Sequence, residues 1–340
     1  MPVDAINKTK KNEAYLINSG QFAANSPEVQ NLCNKADIII IERNFFGDNL
    51  TMIMYWKVRN KMIVANFDDA YDMMRDTNIA YPFWVLGSAK NKTPEGEVDV
   101  EIKPLPLTQF KWGLRMVAGI MLPSKVLMKD WDRYSDAYYV PNYVDITHYK
   151  NVIKEDNGDN IIIGWGGSLS HVQSFEESGI IKALQKICKN YPQVKIMIAG
   201  DKRVYDKINL PDDKKTYNKF VKFSEWPKVL ANFDIGLAPL CGQYDQRRSW
   251  IKPLEYMLLK IPWIGSDNKS YDDIKQYGKV IKNQQNIWYT TIEEMIQNLD
   301  DHRKFAKEEP YKFAMNQTID KNVSKILNTC KEIIDKGYNE

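Results

Sequence analysis

Residues 233–267 read FDIGLAPLCGQYDQRRSWIKPLEYMLLKIPWIGSD, and this stretch decides the fold of the chain. An apolar run at 233–240 predicts a buried strand that ends in a polar loop. Proline is tolerated only in the first turn of a helix, so Pro253 predicts a helix that begins close to 249–252. A second apolar run at 261–264 predicts the next strand. Strand, loop, helix and strand in this order indicate a parallel α/β sheet.

The loop and the helix start carry positive charge. Arg247 and Arg248 lie in the loop, Ser249 stands at the expected cap and Lys252 in the first turn. The first N–H groups of a helix attract anions, and open α/β sheets bind ligands at the carboxyl ends of their strands. The pattern therefore predicts a site for a phosphate-bearing ligand. The alternative is a solvated charge cluster in which Lys252 and Glu255 form only a surface pair.

This unit resembles the donor-binding segment of retaining glycosyltransferases of the GT-B architecture. The strand motif D-x-G-L-x-P is matched by Asp234, Gly236, Leu237 and Pro239. The pattern N/D-x-x-K/R-S-x-x-K-x-L-E-Y of bacterial and phage members is matched by Asp245, Arg248, Ser249, Lys252, Leu254, Glu255 and Tyr256. The resemblance implies an α/β fold with two Rossmann-like domains that face a cleft, and a C-terminal helix that crosses back to the N-terminal domain.

The resemblance also implies roles for single residues. Arg248 and Lys252 are expected to stabilise the leaving diphosphate, and Glu255 to hold the ribose hydroxyls. Many relatives carry a second glutamate where Arg247 stands, so the donor sugar is left open and Asp245 is the candidate for its contact. The full set expected to bind the donor is Gly166, Gly167, Ser168, His171, Phe223, Trp226, Asp245, Arg247, Ser249 and Glu255.

A glycine-rich segment, GWGGS at 164–168, follows a short apolar run at 161–164 and precedes an expected helix at 172–190. Glycines at such a point let a ligand approach the backbone, and the resemblance places donor phosphate and sugar there. The alternative is a tight turn that requires glycine for its dihedral angles. His171 comes next, where many relatives carry lysine or arginine. It is expected either to donate a hydrogen bond to an oxyanion or to be a capping or exposed histidine.

Asp68 and Asp69 follow an expected strand at 62–67. Carboxylates at the carboxyl end of a strand predict binding of acceptor or sugar hydroxyls, and N-capping of a helix by one of them is the alternative. We assign Asp69 to the catalytic set with Arg248 and Lys252, and Asp68 to the acceptor side. The two aspartates are adjacent, unlike the metal-binding D-x-D pattern. None of the 3 histidines stands at ligand spacing from another, so no metal site is expected.

Length and composition agree with a soluble enzyme that has two domains and two cores. The chain has 340 residues, 44% hydrophobic and 27% charged, and a net charge of +3, which argues against general affinity for nucleic acid. Its 4 cysteines form no C-x-x-C pair and are expected to be free thiols. No apolar run approaches the length of a membrane span, and the start lacks a signal-peptide pattern, so a cytoplasmic protein is expected. The expected domains are 1–145, 146–315 and a C-terminal helix at 316–340.

Short apolar or β-branched runs predict the remaining elements. Expected strands are 15–19, 37–42, 119–123 and 137–140 in the first half and 194–200, 221–223, 235–239, 262–264 and 279–281 in the second. Expected helices are 49–59, 107–117, 316–336 and one that Ser124 caps and that ends near 134. The polar stretch 91–106 is expected to be a long surface loop, and 150–160 an interdomain linker.

The sequence thus favours a metal-independent retaining glycosyltransferase that uses a nucleotide-diphosphate sugar, preferably a UDP-sugar, as co-substrate and needs no cofactor. A glycan, a lipid-linked sugar, a protein and a modified DNA base are all open as acceptor, and no oligomeric state is specified. The alternatives are a sugar-nucleotide epimerase of the same architecture and a non-catalytic protein that binds nucleotide sugars.

Overall fold

The computed structural model describes residues 2–94, 96–154 and 157–337. The chain divides into unit 1, which is Met1–Pro141 with Val323–Glu340, and unit 2, which is Asn142–Asn322. Both units contain a parallel sheet with helices, so the expected α/β class is confirmed. The units divide at 141/142 and 322/323, where the sequence suggested 145/146 and 315/316.

Unit 1 contains a four-stranded parallel sheet and a separate antiparallel hairpin. Its strands are β1 (Ile38–Glu42), β2 (Met62–Asn66), β3 (Ser88–Thr93), β4 (Gly96–Glu101), β5 (Gly119–Leu122) and β6 (Ala137–Tyr139). Its helices are α1 (Pro2–Lys8), α2 (Ser19–Ala23), α3 (Pro27–Lys35), α4 (Asp48–Lys57), α5 (Tyr81–Trp84), α6 (Pro106–Leu114) and α7 (Lys125–Trp131). The parallel sheet has the order β1-β2-β5-β6, and its β1–β2 register pairs Ile40 with Val64.

An aromatic cluster fills the core of unit 1. Phe110 is fully buried and meets Phe67, Tyr71 and Trp131 at ring-centroid distances of 5.0, 5.0 and 5.6 Å, in edge-to-face geometry. Such pairs stabilise a core beyond their buried area. Both faces of a parallel sheet are covered, which explains the nearly unbroken apolar strands β2 and β5.

Two expectations for unit 1 are wrong. The stretch 91–106 is not a long loop, because β3 and β4 form a hairpin that pairs Lys90 with Asp99. All of β4 is exposed, and its apolar alternation is limited to Val98 and Val100 between charged residues. The stretch 15–19 forms no strand. Asn18 instead caps α2 by accepting from the Gly20 N–H at 2.8 Å, and Leu16 is exposed.

Unit 2 contains a six-stranded parallel sheet with the strand order β12-β11-β10-β7-β8-β9. These strands are β7 (Ile161–Gly167), β8 (Val194–Gly200), β9 (Lys215–Lys219), β10 (Ile235–Ala238), β11 (Trp263–Ser266) and β12 (Lys279–Ile281). Its helices are α8 (Val172–Glu177), α9 (Ile180–Asn190), α10 (Lys202–Lys207), α11 (Trp226–Leu230), α12 (Gly242–Asp245), α13 (Ile251–Leu258), α14 (Gln285–Gln297), α15 (Leu299–Ala306) and α16 (Glu309–Asn316). The core lies on both sides of β7 and β10, the two central strands.

Three local expectations for unit 2 are also wrong. No strand forms at 221–223, and the edge strand is β9, which is polar and half-buried. The helix expected at 172–190 is divided into α8 and α9 at Gly179, whose φ of +81° suits glycine. The glycines at 164–167 belong to strand β7 rather than to a loop. Neighbouring rings explain them, since a Cβ at Gly164 would lie 2.0 Å from Phe233.

The segment expected to link the domains lies inside unit 2, with 155–156 outside the described residues. It is anchored by Asp234, which precedes β10 and is 1% exposed. Asp234 accepts from Lys154 Nζ at 2.5 Å, from Asn157 Nδ2 at 2.9 Å and from the Ile162 N–H at 2.8 Å. Arg303 of α15 donates to the same carboxylate at 2.6 Å. Asp234, the aspartate of the D-x-G-L-x-P motif, therefore connects the segment at 150–160 with β7 and with α15.

The last helix, α17 (Ile319–Gly337), begins in unit 2, and its residues from Val323 onward belong to unit 1. Ile333 is buried beside Gly119 of β5, and Lys336 forms an ion pair with Asp136. The long C-terminal helix expected from the sequence is confirmed. Among the described residues, the helices are all too short or too polar to cross a bilayer.

The Asp234 network yields a prediction on stability. Asp234→Ala should destabilise unit 2 by about 1–3 kcal/mol, because it removes the acceptor of four donors and leaves Lys154 and Arg303 without their common partner. The midpoint of urea unfolding, followed by tryptophan fluorescence, measures the effect. Asp300→Ala is the matched control, since Asp300 also pairs with Arg303 but is 96% exposed. Equal midpoints for the two variants would contradict the assignment.

Candidate anion-binding site in unit 2

The candidate site lies where β7 and β10 end and α13 begins. Asp245, at the end of α12, is 2% exposed and organises it. One carboxylate oxygen accepts from Arg248 Nε at 2.7 Å, and the other from the Ser174 hydroxyl and from the Cys241 N–H at 2.6 Å. Asp245 therefore fixes the position of Arg248.

The guanidinium of Arg248 is held on three sides. Besides its bond to Asp245, its Nη2 donates to the Ser170 carbonyl at 2.9 Å, and its Nη1 lies 3.3 Å from His171 Nε2. The Cζ atom of Arg248 lies 4.8 Å from the centre of the Tyr244 ring. These contacts immobilise a positive charge directly before α13, as the sequence predicts.

His171 is neutral in this arrangement. Burial and the charges of Arg248 and Lys252 hold its pKa well below the usual value. Arginine only donates, so His171 Nε2 must accept and the proton must be on Nδ1. Within the described part of the chain, Nδ1 is buried without a hydrogen-bond partner. His171 therefore orients Arg248 and adds no charge of its own.

Lys252 supplies the second cation of the site. Its Nζ donates to the Gly166 carbonyl and lies 5.1 Å from the centre of the Trp165 ring. Burial is the main cause that lowers the pKa of Lys252 to about 8; Arg248 acts in the same direction, and Glu255 and Asp245 act in the opposite direction. Because Lys252 is in the first turn of α13, its charge adds to that of the helix N-terminus.

Glu255 lies one turn further along α13. Its Oε1 accepts from the Tyr149 hydroxyl at 2.9 Å and its Oε2 from Trp226 Nε1 at 3.4 Å. Burial raises the pKa of Glu255, and the two donors and Lys252 oppose that rise. Trp226 in turn covers Gly166, where a Cβ would lie 2.6 Å from its ring. The carboxylate is thus fixed in orientation beside the Gly166 backbone.

The other residues that the sequence predicts for donor binding make the following contacts. Ser249 accepts from Asn142 Nδ2 at 3.0 Å, and the hydroxyls of Ser168 and Ser170 lie 3.3 Å apart. Arg247 Nη1 donates to the Gln243 carbonyl at 2.8 Å. Phe223 is 62% exposed and meets the His148 ring edge-on at 5.3 Å. Asp68 and Asp69 follow β2 and belong to unit 1.

Sequence reasoning missed several residues that shape the site. Ser170 contributes only its backbone carbonyl, which leaves no trace in side-chain patterns. Ser174 and Tyr149 reach their partners Asp245 and Glu255 from distant parts of the chain. A tyrosine at the entry to the second domain and a serine on the helix after the glycine-rich strand are the only signals, and both residue types are common.

Comparison with solved structures shows that the fold of the chain is a known one. The chain is similar to Anabaena HepE in complex with UDP and glucose, with 13% identity, a TM-score of 0.62 and coverage of 92% of this chain and 84% of that one. The chain has the GT-B fold. Sucrose-phosphate synthase from Thermosynechococcus elongatus is also similar, with 11% identity, a TM-score of 0.58 and coverage of 94% and 81%.

A third GT-B neighbour has a different activity in its description. The putative UDP-N-acetylglucosamine 2-epimerase from Listeria monocytogenes is 12% identical, with a TM-score of 0.57 and coverage of 98% of this chain and 92% of that one. No family model and no curated protein sequence matches the chain. At these identities the similarity establishes the fold alone.

The Lys252 environment yields a prediction on ionisation. The Cε resonance of Lys252 should titrate with a midpoint near pH 8, well below the value of roughly 10.4 for a solvated lysine. Glu255→Gln should lower the midpoint, because the Glu255 charge favours the protonated amine. Carbon-13 NMR of the labelled protein measures both. Glu294→Gln, on α14, removes a carboxylate elsewhere in unit 2 and should leave the midpoint unchanged. A wild-type midpoint near 10 would contradict the burial of the amine.

Proposed function

We propose that this chain is a retaining glycosyltransferase that moves a sugar from a nucleotide-diphosphate sugar, preferably a UDP-sugar, to a hydroxyl acceptor. The observation that carries the proposal is the pair Arg248 and Lys252, fixed by Asp245 and by the Gly166 carbonyl at the start of α13. Three neighbours of the same fold are described with UDP-sugars or UDP: HepE, TarM and an E. coli protein bound with UDP-2-fluoro glucose.

The chemistry follows from where charge develops. When the bond between the anomeric carbon and the donor phosphate oxygen breaks, negative charge grows on the leaving diphosphate. Cations and N–H groups already aimed at that charge lower the barrier without reorganisation. Arg248 and Lys252 are proposed to stabilise the charge of the leaving diphosphate. The Gly166–Gly167 backbone, Ser168 and Ser249 are proposed to assist them with hydrogen bonds. The acceptor oxygen bonds to the anomeric carbon, and its proton passes to a phosphate oxygen.

Two further roles are part of the proposal. Glu255 holds the ribose hydroxyls, since Tyr149 and Trp226 fix its carboxyl group and the two carboxyl oxygens can accept several hydrogen bonds. Trp226 and Phe223 contact the base. Asp245, which the sequence suggested for the sugar, is better explained as the residue that positions Arg248, because it is buried and accepts from three donors. No cofactor and no metal are proposed.

A donor screen tests the reaction class. UDP-, GDP- and dTDP-sugars, each with EDTA, are incubated with the protein, and release of nucleoside diphosphate is measured with and without acceptor mixtures. A sugar-nucleotide epimerase is the second candidate, favoured by the putative epimerase neighbour that covers 98% of this chain. Conversion of UDP-N-acetylglucosamine to its 2-epimer without any acceptor would support that candidate and overturn the transferase. Binding of UDP without turnover of any donor would indicate a non-catalytic protein.

Removal of the Arg248 charge should disable the diphosphate site. Arg248→Ala should lower turnover by about a hundredfold, the scale of losing one oxyanion-type donor. Arg248→Lys should not restore the rate, because a lysine cannot bond Asp245 and the Ser170 carbonyl at once in the same fork geometry. Lys186→Ala removes an exposed positive charge from α9 and should keep the wild-type rate. Near wild-type turnover of Arg248→Ala would exclude Arg248 from the reaction.

The ribose contact of Glu255 can be isolated by a double-mutant cycle. Glu255→Gln should weaken UDP binding by about tenfold, because charge-assisted hydrogen bonds to the ribose are lost. UDP that lacks the 2′- and 3′-hydroxyls should bind the variant and the wild-type protein almost equally. Calorimetry on the four combinations gives the coupling energy. A value near zero would show that Glu255 acts only on Lys252, Tyr149 and Trp226.

A further inference from the structure

The parallel sheet of unit 1 ends at β1, which pairs on one side only with the strands that the structure describes. Its sequence at 38–42 is Ile-Ile-Ile-Ile-Glu. Ile39 and Ile41 are buried, whereas Ile40, on the opposite face of the strand, is 44% exposed. An edge strand presents backbone N–H and C=O groups to solvent, and an apolar edge strand favours pairing with another chain.

The other edges of the two parallel sheets are protected against such pairing. β9 begins with Lys215 and ends with Lys219, and β12 begins with Lys279. β6 has only three residues, all of them half-buried. Charged side chains and short strands are devices by which proteins block the edges of their sheets. β1 has five residues and no charge before Glu42, its last residue, so its edge lacks this protection.

The hydrogen bonds of β1 show which of its residues face outward. Directly after the strand, the Arg43 N–H donates to the Asn66 carbonyl of β2 at 2.9 Å. In a paired strand, the backbone groups of successive residues point to opposite sides. Every second residue of β1 therefore faces β2, and the backbone groups of Ile38, Ile40 and Glu42 face away from the sheet.

These outward residues are self-complementary about Ile40. If two copies of β1 pair antiparallel about a two-fold axis, Ile40 lies opposite the partner's Ile40, and Ile38 lies opposite the partner's Glu42. Outward groups then meet outward groups, as an antiparallel ladder requires. The Glu42 carbonyl already accepts from the Asn44 N–H at 2.7 Å, but a carbonyl can accept a second bond. A shift by one residue would break this match.

The charges at the ends of β1 fit the same register. Asp37 precedes the strand and is exposed, and the side chain of Arg43 is 45% exposed. In the register centred on Ile40, Asp37 lies opposite the partner's Arg43. Arg43 leaves the extended conformation, with a φ of 51°, so its long side chain makes this contact. A parallel pair would instead bring like charges together at both ends, which is unfavourable.

The existing partners of Arg43 do not prevent this contact. Its Nη2 lies 3.2 Å from a carboxylate oxygen of Glu42 and 3.4 Å from one of Asp68. All three side chains are more than two-fifths exposed, and exposed ion pairs of this kind are weak. A guanidinium has five N–H donors, so Arg43 can keep both contacts and bind a further carboxylate.

We propose that β1 is the interface of a homodimer in which two copies of this chain pair antiparallel about Ile40. The sheets of the two copies then continue into each other, and the exposed Ile40 side chains contact one another. The same surface serves both copies, as two-fold symmetry requires. An interface built on one strand pair is small, below roughly 1,200 Å², so we expect a dissociation constant in the micromolar range.

The oligomeric state of the full chain tests the proposal without reference to its activity. Sedimentation velocity at protein concentrations from about 1 to 100 μM should show a monomer that converts to a dimer. A protein that stays monomeric over this range would leave β1 to another occupant and overturn the inference. Assembly beyond the dimer would also contradict it, because a two-fold strand pair uses up the edge of both copies.

A charge at the two-fold axis should disrupt the dimer. Ile40→Lys brings two ammonium groups together and should raise the dissociation constant by about a hundredfold. Its urea midpoint shows whether the monomer remains folded. Val58→Lys is the matched control, since Val58 is an apolar residue of unit 1 that is 76% exposed and lies at the end of α4. Equal dissociation constants for the two variants would contradict the role of β1.

A cross-link tests the register and does not depend on weakening the dimer. Directly opposed residues in a hydrogen-bonded pair have Cα atoms about 5.5 Å apart, so Ile40→Cys should be linked to its partner by a short thiol reagent such as dibromobimane. Ile38→Cys is the matched control, because two copies of this residue are displaced along the strand by roughly 13 Å. The wild-type protein gives the background of its natural cysteines. A dimer in which Ile40→Cys is not linked more than Ile38→Cys forms through another surface, and the inference is then wrong.

The end charges provide a further check on the direction of the strands. Asp37→Lys places a lysine opposite the partner's Arg43 at both ends of the pair and should weaken the dimer by about tenfold. In a parallel pair, the same change would affect only one end. The dissociation constant from sedimentation velocity measures the effect, and an unchanged value would overturn the antiparallel arrangement.

Discussion

The buried ion pair of Asp245 and Arg248 is the interaction on which the site in unit 2 depends. Its carboxylate takes donors from α8 through Ser174, from the strand end through the Cys241 N–H, and from Arg248 itself. The Asp245 carbonyl also accepts from Ser270, beyond β11. A buried ion pair is tolerated only when its polar atoms are hydrogen-bonded, and removal of one partner leaves an uncompensated charge. Three segments of unit 2 are thereby fixed around one guanidinium.

The site holds two positive charges at the cost of their mutual repulsion. Arg248 and burial both disfavour the protonated form of Lys252, while Glu255 and Asp245 favour it. A neutral His171 beside Arg248 avoids a third charge. On the proposed function, the diphosphate of the donor would relieve this repulsion, and cations that are held in place before it binds need no reorganisation during the reaction.

The sequence predicts those elements whose buried residues form a pattern within one continuous segment of the chain. Apolar runs and Pro253 locate β10, α13 and β11, and Arg248, Lys252 and Glu255 are brought together because one loop and one helix carry them. The hairpin of β3 and β4 was not predicted because all of β4 is exposed, so no buried apolar face marks the strand. Tyr149, which orients Glu255, could not be found because its contact depends on tertiary folding rather than on local pattern.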